Sequence, residues 1–137
     1  MKLNYGTLAI LAIFLLIFAK AAWGLPWTGP RFAGLAIVIP SLLLFALARI
    51  QLGRAFSIQA KATTLVTTGL YSRIRNPIYV FGSLMAAGII IFANRPWLLL
   101  IFAVLIPLQV VRSRKEERVL AEKFGAAYVE YKQKTWF

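Results

Sequence analysis

The chain contains no cysteine, no histidine and no aspartate, and its four acidic residues are all glutamates. Without thiols there is no disulfide, no thiolate nucleophile and little basis for a zinc site. Without imidazole there is no histidine general base, and no metal centre is expected. Any chemistry must therefore use Glu, Arg, Tyr, Asn, backbone groups or a borrowed cofactor. Negative charge is scarce: 16 Lys and Arg stand against four Glu, for a net charge of +12. Such a balance suits either nucleic acid or an anionic membrane surface. With 61% hydrophobic and only 15% charged residues, the bilayer is the expected partner and nucleic acid is not. A length of 137 residues bounds the chain to a single membrane domain, residues 1–137, with no room for a large soluble catalytic module.

What is present is four apolar runs: Tyr5–Trp23, Phe32–Ala48, Ile78–Phe92 and Trp97–Val111. A helix crossing ~30 Å of hydrocarbon needs roughly 20 residues, with a lower limit near 17. The first two runs meet that length. The third and fourth are shorter and are joined by Ala93-Asn94-Arg95-Pro96, which reads as a tight helical hairpin. The expected fold is all-α, with about four transmembrane helices. Residues 1–48 form the first two, 49–77 a cytoplasmic loop, 78–111 the hairpin, and 112–137 a C-terminal amphipathic cytoplasmic helix. The first run has the outline of a signal peptide, but its apolar stretch is long and Lys20 sits beside the cleavage position. An uncleaved first helix is expected.

Thirteen of the 16 cationic residues fall at Lys2, between Arg49 and Arg75, and between Arg112 and Lys134. The positive-inside rule then places both termini and the middle loop in the cytoplasm, with Trp23, Trp27 and Trp97 near the opposite interface. Within the helices, Pro40 and Pro107 are expected to bend the second and fourth. Gly82, Ser83, Ala86 and Ala87 form a small-residue face for close packing, and Gln109 is expected to hydrogen-bond between helices.

No acid or base lies deep within an apolar run, which argues against a proton-coupled transporter. The informative polar residues occupy two stretches instead. One, Gly69-Leu70-Tyr71-Ser72-Arg73-Ile74-Arg75-Asn76-Pro77-Ile78-Tyr79, leads into the third helix. The other, Arg112-Ser113-Arg114-Lys115-Glu116-Glu117-Arg118, continues out of the fourth. A hairpin between them brings both stretches to one membrane surface. Glu116, Leu120, Phe124, Tyr128 and Tyr131 recur at helical spacing, which puts Glu116 on an apolar face, with Glu117 about 100° round. Arg112 sits one turn before Glu116. Gly125 either interrupts the tail helix or permits a close approach. Carboxylates in a basic setting suit a ligand carrying both a cation and a carboxylate, a description that fits S-adenosylmethionine among many others.

The first stretch resembles the G-x-Y-x-x-x-R-H-P-x-Y signature of isoprenylcysteine carboxyl methyltransferases and their bacterial relatives, a plan shared by phospholipid N-methyltransferases. Glu116-Glu117-x-x-Leu120, Phe124-Gly125, Tyr128 and Tyr131 resemble the family's E-E-x-x-L…F-G-x-x-Y-x-x-Y ending, and Leu52-Gly53-Arg54-Ala55-Phe56-Ser57 its upstream stretch. The resemblance covers roughly residues 49 to 131. It implies a membrane methyltransferase that takes its methyl group from S-adenosylmethionine and delivers it to a lipophilic or lipid acceptor arriving from the bilayer. By motif position, Arg75, Asn76, Pro77 and Tyr79 border the cofactor, Glu116 and Glu117 complete its pocket, and Gly69 and Tyr71 shape the loop over it. Glu116, Glu117 and Arg112 are the candidate catalytic residues, the acids as proton acceptors and Arg112 to orient an anionic acceptor. Asn76 stands where the family has His; it keeps hydrogen bonding but cannot titrate near neutrality. The expected location is a prokaryotic inner membrane. The alternative readings are a small four-helix transporter and a non-catalytic relative of the family.

Overall fold

The structure is a computed structural model that describes residues 12–53, apart from 14, 17 and 21, and residues 65–137. Much of the first apolar run is thus outside the described residues, as is the Arg54–Ser57 part of the upstream stretch. The described residues from 12 to 22 are helical, and Trp23 closes that segment by donating its N–H to the Ala19 carbonyl at 3.0 Å.

Among the described residues four further helices follow: α1 (Gly29–Leu52), α2 (Pro77–Phe92), α3 (Phe102–Phe124) and α4 (Ala126–Lys134), with short 3₁₀ segments at Gly69–Ser72 and Pro96–Ile101. Both α1 and α2 begin with proline in the first turn, where its missing N–H is no loss. Pro40 and Pro107 lie inside continuous helices, α1 and α3, as apolar surroundings and neighbouring groups allow. Asn94 ends α2 with φ 54°, a left-handed conformation that Asn tolerates, and Pro96 starts the next segment.

Two helical stretches, Gly29–Leu52 and Pro96–Phe124, are long and apolar enough to cross a membrane. Their apolar windows are only 22% and 6% buried, so neither is the core helix of a soluble protein. Leu43, Leu100, Val104, Leu108 and Val111 are all exposed, a surface suited to lipid tails. The chain is an integral membrane protein with at least two apolar spans. At 16 residues, α2 is the shorter apolar helix of the set.

The closest packing is between α1 and α2, and it is built on glycine. A Cβ on Gly34 would lie 2.5 Å from the Phe92 backbone N and 2.7 Å from the Gly88 carbonyl O; one on Gly88 would meet Val38 at 2.8 Å. Glycine thus lets the two backbones approach closely. Sequence reasoning placed the small-residue face at Gly82, Ser83, Ala86 and Ala87. Of these, Gly82 faces the Phe45 ring across α1, whereas Ser83 turns to α3.

An antiparallel hairpin of α2 and α3 is recorded by three side-chain hydrogen bonds in sequence. Ser83 Oγ meets Gln109 Oε1 at 3.0 Å, the Tyr79 hydroxyl meets Glu116 Oε1 at 2.6 Å, and Asn76 Nδ2 meets Ser113 Oγ at 2.7 Å. Ser83, further along α2, pairs with Gln109, whereas Tyr79 and Asn76 at its start pair with Glu116 and Ser113 further along α3, as antiparallel helices require. Gly125, with φ 51° and open space around its missing Cβ, ends α3 and starts α4. It is an interruption set by conformation, not by close approach. At the far end of the bundle Trp23, Trp27 and Trp97 are all exposed, with Trp27 against Phe32 and Phe92.

Candidate functional site

The Gly69–Tyr79 loop is held from three directions. Gln51, at the end of α1, accepts the Leu70 N–H at 2.9 Å, and the left-handed Gly69 (φ 63°) leaves room for it; a Cβ there would lie 2.3 Å from Gln51 Nε2. Tyr71 is buried, with its hydroxyl 3.5 Å from the Ala48 carbonyl. Its own carbonyl accepts the Tyr131 hydroxyl at 2.8 Å, which ties α4 to the loop. Gly69 and Tyr71 therefore act on the loop's shape through α1 and α4. Gln51 carried no motif signal, and Tyr131, which the motif ending includes, gave no sign of its Tyr71 partner, since both contacts depend on long-range packing.

The third anchor is the C-terminal segment. Ile74 and Trp136 form a parallel bridge: Trp136 N–H donates to the Arg73 carbonyl at 3.0 Å, Arg75 N–H to the Trp136 carbonyl at 3.0 Å and Asn76 N–H to the Phe137 carbonyl at 2.9 Å. Arg75 clamps the same segment, donating from Nη1 to the Thr135 carbonyl at 3.0 Å and the Lys132 carbonyl at 3.2 Å. Its Nε lies 3.3 Å from Glu117 Oε1, near enough for an ion pair but off-axis for a hydrogen bond. Lys132 Nζ holds the other Glu117 oxygen at 2.8 Å. The two acids thus divide. Glu117 is largely covered and shared by two cations, whereas Glu116 is exposed and takes a single hydrogen bond, from Tyr79.

Asn76 caps α2 with its backbone, its carbonyl accepting the N–H groups of Tyr79 (3.1 Å) and Val80 (3.2 Å). Its side chain makes no cap bond, although Asn commonly does so at this position. The amide instead crosses to Ser113, which is only 3% exposed. The next residue, Pro77, is fully buried. Arg112, one turn before Glu116, has no ion pair or hydrogen bond among the described residues. The structure accordingly brings Arg75, Asn76, Pro77, Tyr79, Glu116 and Glu117 together where the loop, the start of α2 and the upper part of α3 meet.

The family profile for phospholipid methyltransferases matches residues 30–127. The chain belongs to the phospholipid methyltransferase family. That match spans α1, the signature loop, the α2–α3 hairpin and the start of α4, so Arg75, Asn76, Pro77, Tyr79, Glu116 and Glu117 lie within it and the 131–137 anchors beyond it. Membership is at the level of this family of membrane methyltransferases, not of its isoprenylcysteine branch. No curated protein sequence and no solved structure gives a significant match.

Burial pushes the Tyr131 hydroxyl up to about 12, with the neighbouring Tyr128 adding to the effect and Arg75 opposing it. Tyr128 is also raised to about 12, by burial and then by Glu117. A phenol whose folded pKa lies above its unfolded value of 10 stabilises the fold fully below pH 10 and loses that contribution as pH rises toward 12. Alkaline titration above pH ~10 is therefore expected to release α4 from the loop, because a phenolate cannot donate to the Tyr71 carbonyl. Stopped-flow absorbance of phenolate formation, with α4 amide exchange alongside, checks this. Tyr131→Phe should remove one late-titrating phenol, and it should weaken α4 docking at neutral pH by about 1 kcal/mol, one hydrogen bond.

Proposed function

We propose that the protein is an S-adenosylmethionine-dependent methyltransferase that methylates a lipid or lipophilic small molecule entering from the bilayer. Family membership supplies the reaction class, and the observation that carries the site is the exposed Glu116 carboxylate, fixed by Tyr79 and one helical turn from Arg112, which has no ion pair among the described residues. This donor set fits an amino-acid moiety. Glu116 Oε1 is oriented by the Tyr79 hydroxyl, and its remaining lone pairs can accept an ammonium group. The Arg112 guanidinium can grip a carboxylate through two parallel N–H bonds.

When bound, S-adenosylmethionine supplies an electrophilic methyl group on sulfonium sulfur. The chain's own residues align and shield. Asn76, held by Ser113, and Tyr79, held by Glu116, fix the lip of the pocket at the start of α2. Pro77 and Tyr71 back it with buried apolar surface. Arg75 and Glu117 position the C-terminal segment against the signature loop, which keeps water from that side. An amine acceptor must lose a proton, and Glu116 Oε2 is the accessible carboxylate oxygen to take it; a carboxylate acceptor needs no base. Leu108 and Val111 are exposed on the membrane side of Arg112, where an apolar acceptor has a lipid-facing approach. Both termini and the signature loop are assigned to the cytoplasm, in agreement with the cationic bias and with the tryptophans at the other end of the bundle.

Calorimetric titration of S-adenosylmethionine into the detergent-purified protein tests the reading. Saturable binding is expected, weakened at least about tenfold in Glu116→Ala, in keeping with loss of a charge-assisted hydrogen bond. Absence of binding by folded protein in both detergent and lipid nanodiscs would remove the enzyme assignment. Asn76, hydrogen-bonded to Ser113 where the family has His, also favours a second reading, a relative that binds the cofactor without turnover, because an amide can hold a ligand but cannot move a proton. Binding without methyl transfer to any lipid or amine acceptor would establish that alternative.

A further inference from the structure

α1 and α2 meet backbone to backbone through Gly34 and Gly88, but α3 stands further from α2 and reaches it through side chains. Among the described residues three polar pairs span that gap: Asn76 with Ser113, Tyr79 with Glu116, and Ser83 with Gln109. On α3 the partners Gln109, Ser113 and Glu116 follow at spacings of four and three. Arg112 lies three residues after Gln109, so all four share one side of the helix. The methyl-transfer site takes up only the cytoplasmic end of this seam.

Gln109 marks its other end. It lies in the apolar part of α3, between Leu108 and Val110, one turn before the first cation of that helix, Arg112. Its Oε1 accepts the Ser83 hydroxyl at 3.0 Å. Its Nε2 carries two N–H donors with no partner among the described residues, and that nitrogen is not sealed inside the protein. Lipid tails offer no acceptor, and an unpaired amide in apolar surroundings is costly. Holding α2 to α3 needs one hydrogen bond, which a serine or threonine supplies without two spare donors. The spare donors therefore call for a ligand that brings its own oxygen. There is room beside them for its chain. Ala87, one turn on from Ser83, is half-buried despite its small side chain, and Leu108 and Val111 are exposed.

We propose that Gln109 is a specificity-determining residue for the methyl acceptor: its Nε2, set by Ser83, donates to a carbonyl oxygen that the acceptor carries about 10 Å from its methylated atom. This rests on the methyltransferase reading and adds a requirement to it. The distance follows from the helix, because the step from Gln109 to Glu116 is two turns, about 10 Å along the axis. The nucleophile then sits at the level of Glu116 and Arg112, the carbonyl at Gln109, and the remaining apolar chain in the bilayer beyond. An acceptor that is pure hydrocarbon at that level leaves the amide unpaired, and that penalty is the source of discrimination.

The test compares the binding of three amine probes of equal length to the full chain in neutral detergent. Octyl 8-aminooctanoate places its ester carbonyl about 10 Å from the nitrogen when extended. Tridecyl 3-aminopropanoate has the same ester much nearer the nitrogen, and 1-aminoheptadecane has none. The parent is expected to bind the aminooctanoate roughly fivefold more tightly than either of the others, the worth of one hydrogen bond. In the nearly isosteric Gln109→Met that preference should vanish. Micelle partitioning is common to parent and variant, so the change in ratio reads the protein alone. A merely structural Gln109 would weaken all three probes together and leave the ratio unchanged. The comparison of the two esters on the parent stands even if the variant fails to fold. Equal binding of the two esters by the parent, a preference that survives in Gln109→Met, or no saturable binding of the aminooctanoate overturns the proposal. S-adenosylmethionine is titrated into the same parent preparation. A parent that binds the cofactor but shows no ester preference overturns this proposal alone, whereas a folded parent that binds no cofactor overturns the methyltransferase reading and this proposal with it.

Discussion

Gly34→Ala is expected to destabilise the detergent-solubilised protein by about 2 kcal/mol, although alanine is the better helix former. Two effects oppose each other. Propensity favours alanine over glycine in a helix interior by about 1 kcal/mol. Against that, the new methyl would sit 2.5 Å from the Phe92 backbone N and 2.7 Å from the Gly88 carbonyl O. Backbone atoms of a packed helix cannot rotate away as a side chain can, so α1 and α2 must separate. Overpacking of this kind costs typically 1–3 kcal/mol and more where relaxation is blocked, which exceeds the propensity gain. The separation would also carry Ala48 and Gln51 away from Tyr71 and Leu70, loosening the signature loop at the other end of the helix. Thermal unfolding followed by circular dichroism measures the effect. Gly29→Ala is the comparison, because nothing lies within 4 Å of a Cβ there. A midpoint for Gly34→Ala equal to that of the parent would show that the helices do not cross at this distance in the membrane protein.

Gly34 and Gly88 also show what a sequence conceals. The apolar runs, the helical hairpin and the meeting of the two polar stretches follow from composition, length and chain direction, and Tyr79–Glu116 lies where hairpin geometry puts it. The cross-helix role of Gln109 follows from a polar group in an apolar run. Which glycines carry the crossing does not follow, because helix rotation is set by the partner surface: of the small residues on α2, Gly82 faces α1 whereas Ser83 turns to α3. Helical spacing likewise extends from Glu116 to Tyr131 as one stripe, yet the chain turns at Gly125, and Tyr128 and Tyr131 are buried on a separate helix. Motif position placed Arg75 and Glu117 beside a cofactor. That Arg75 also holds the Lys132 and Thr135 carbonyls depends on contacts 57 and 60 residues apart in sequence, which no local pattern encodes, and Glu117 joins the clamp through Arg75 and Lys132.

Arg75→Ala is expected to release the C-terminal segment. One guanidinium serves the carbonyls of Lys132 and Thr135 and the Glu117 carboxylate at once, with its side chain 16% exposed. Its removal leaves two carbonyls without that donor and Glu117 with Lys132 alone, a loss of about 2–3 kcal/mol for partly covered charge-assisted contacts. A lysine should not rescue, because a compact ammonium cannot span three acceptors as the planar fork does. Glu117→Gln should weaken docking less, since both carbonyl contacts of Arg75 survive. Hydrogen exchange reads the result directly. The Trp136 and Asn76 amides, bonded to Arg73 and Phe137 carbonyls, should lose protection in Arg75→Ala, while amides at the α1–α2 crossing keep theirs. S-adenosylmethionine binding should fall with them, because the bridge ends on Asn76 at the lip of the proposed pocket. Parent-like protection at Trp136 would mean that backbone pairing and the Tyr131 hydroxyl suffice to dock the segment. Arg75 would then be free for direct contact with the cofactor, as its place in the motif implies.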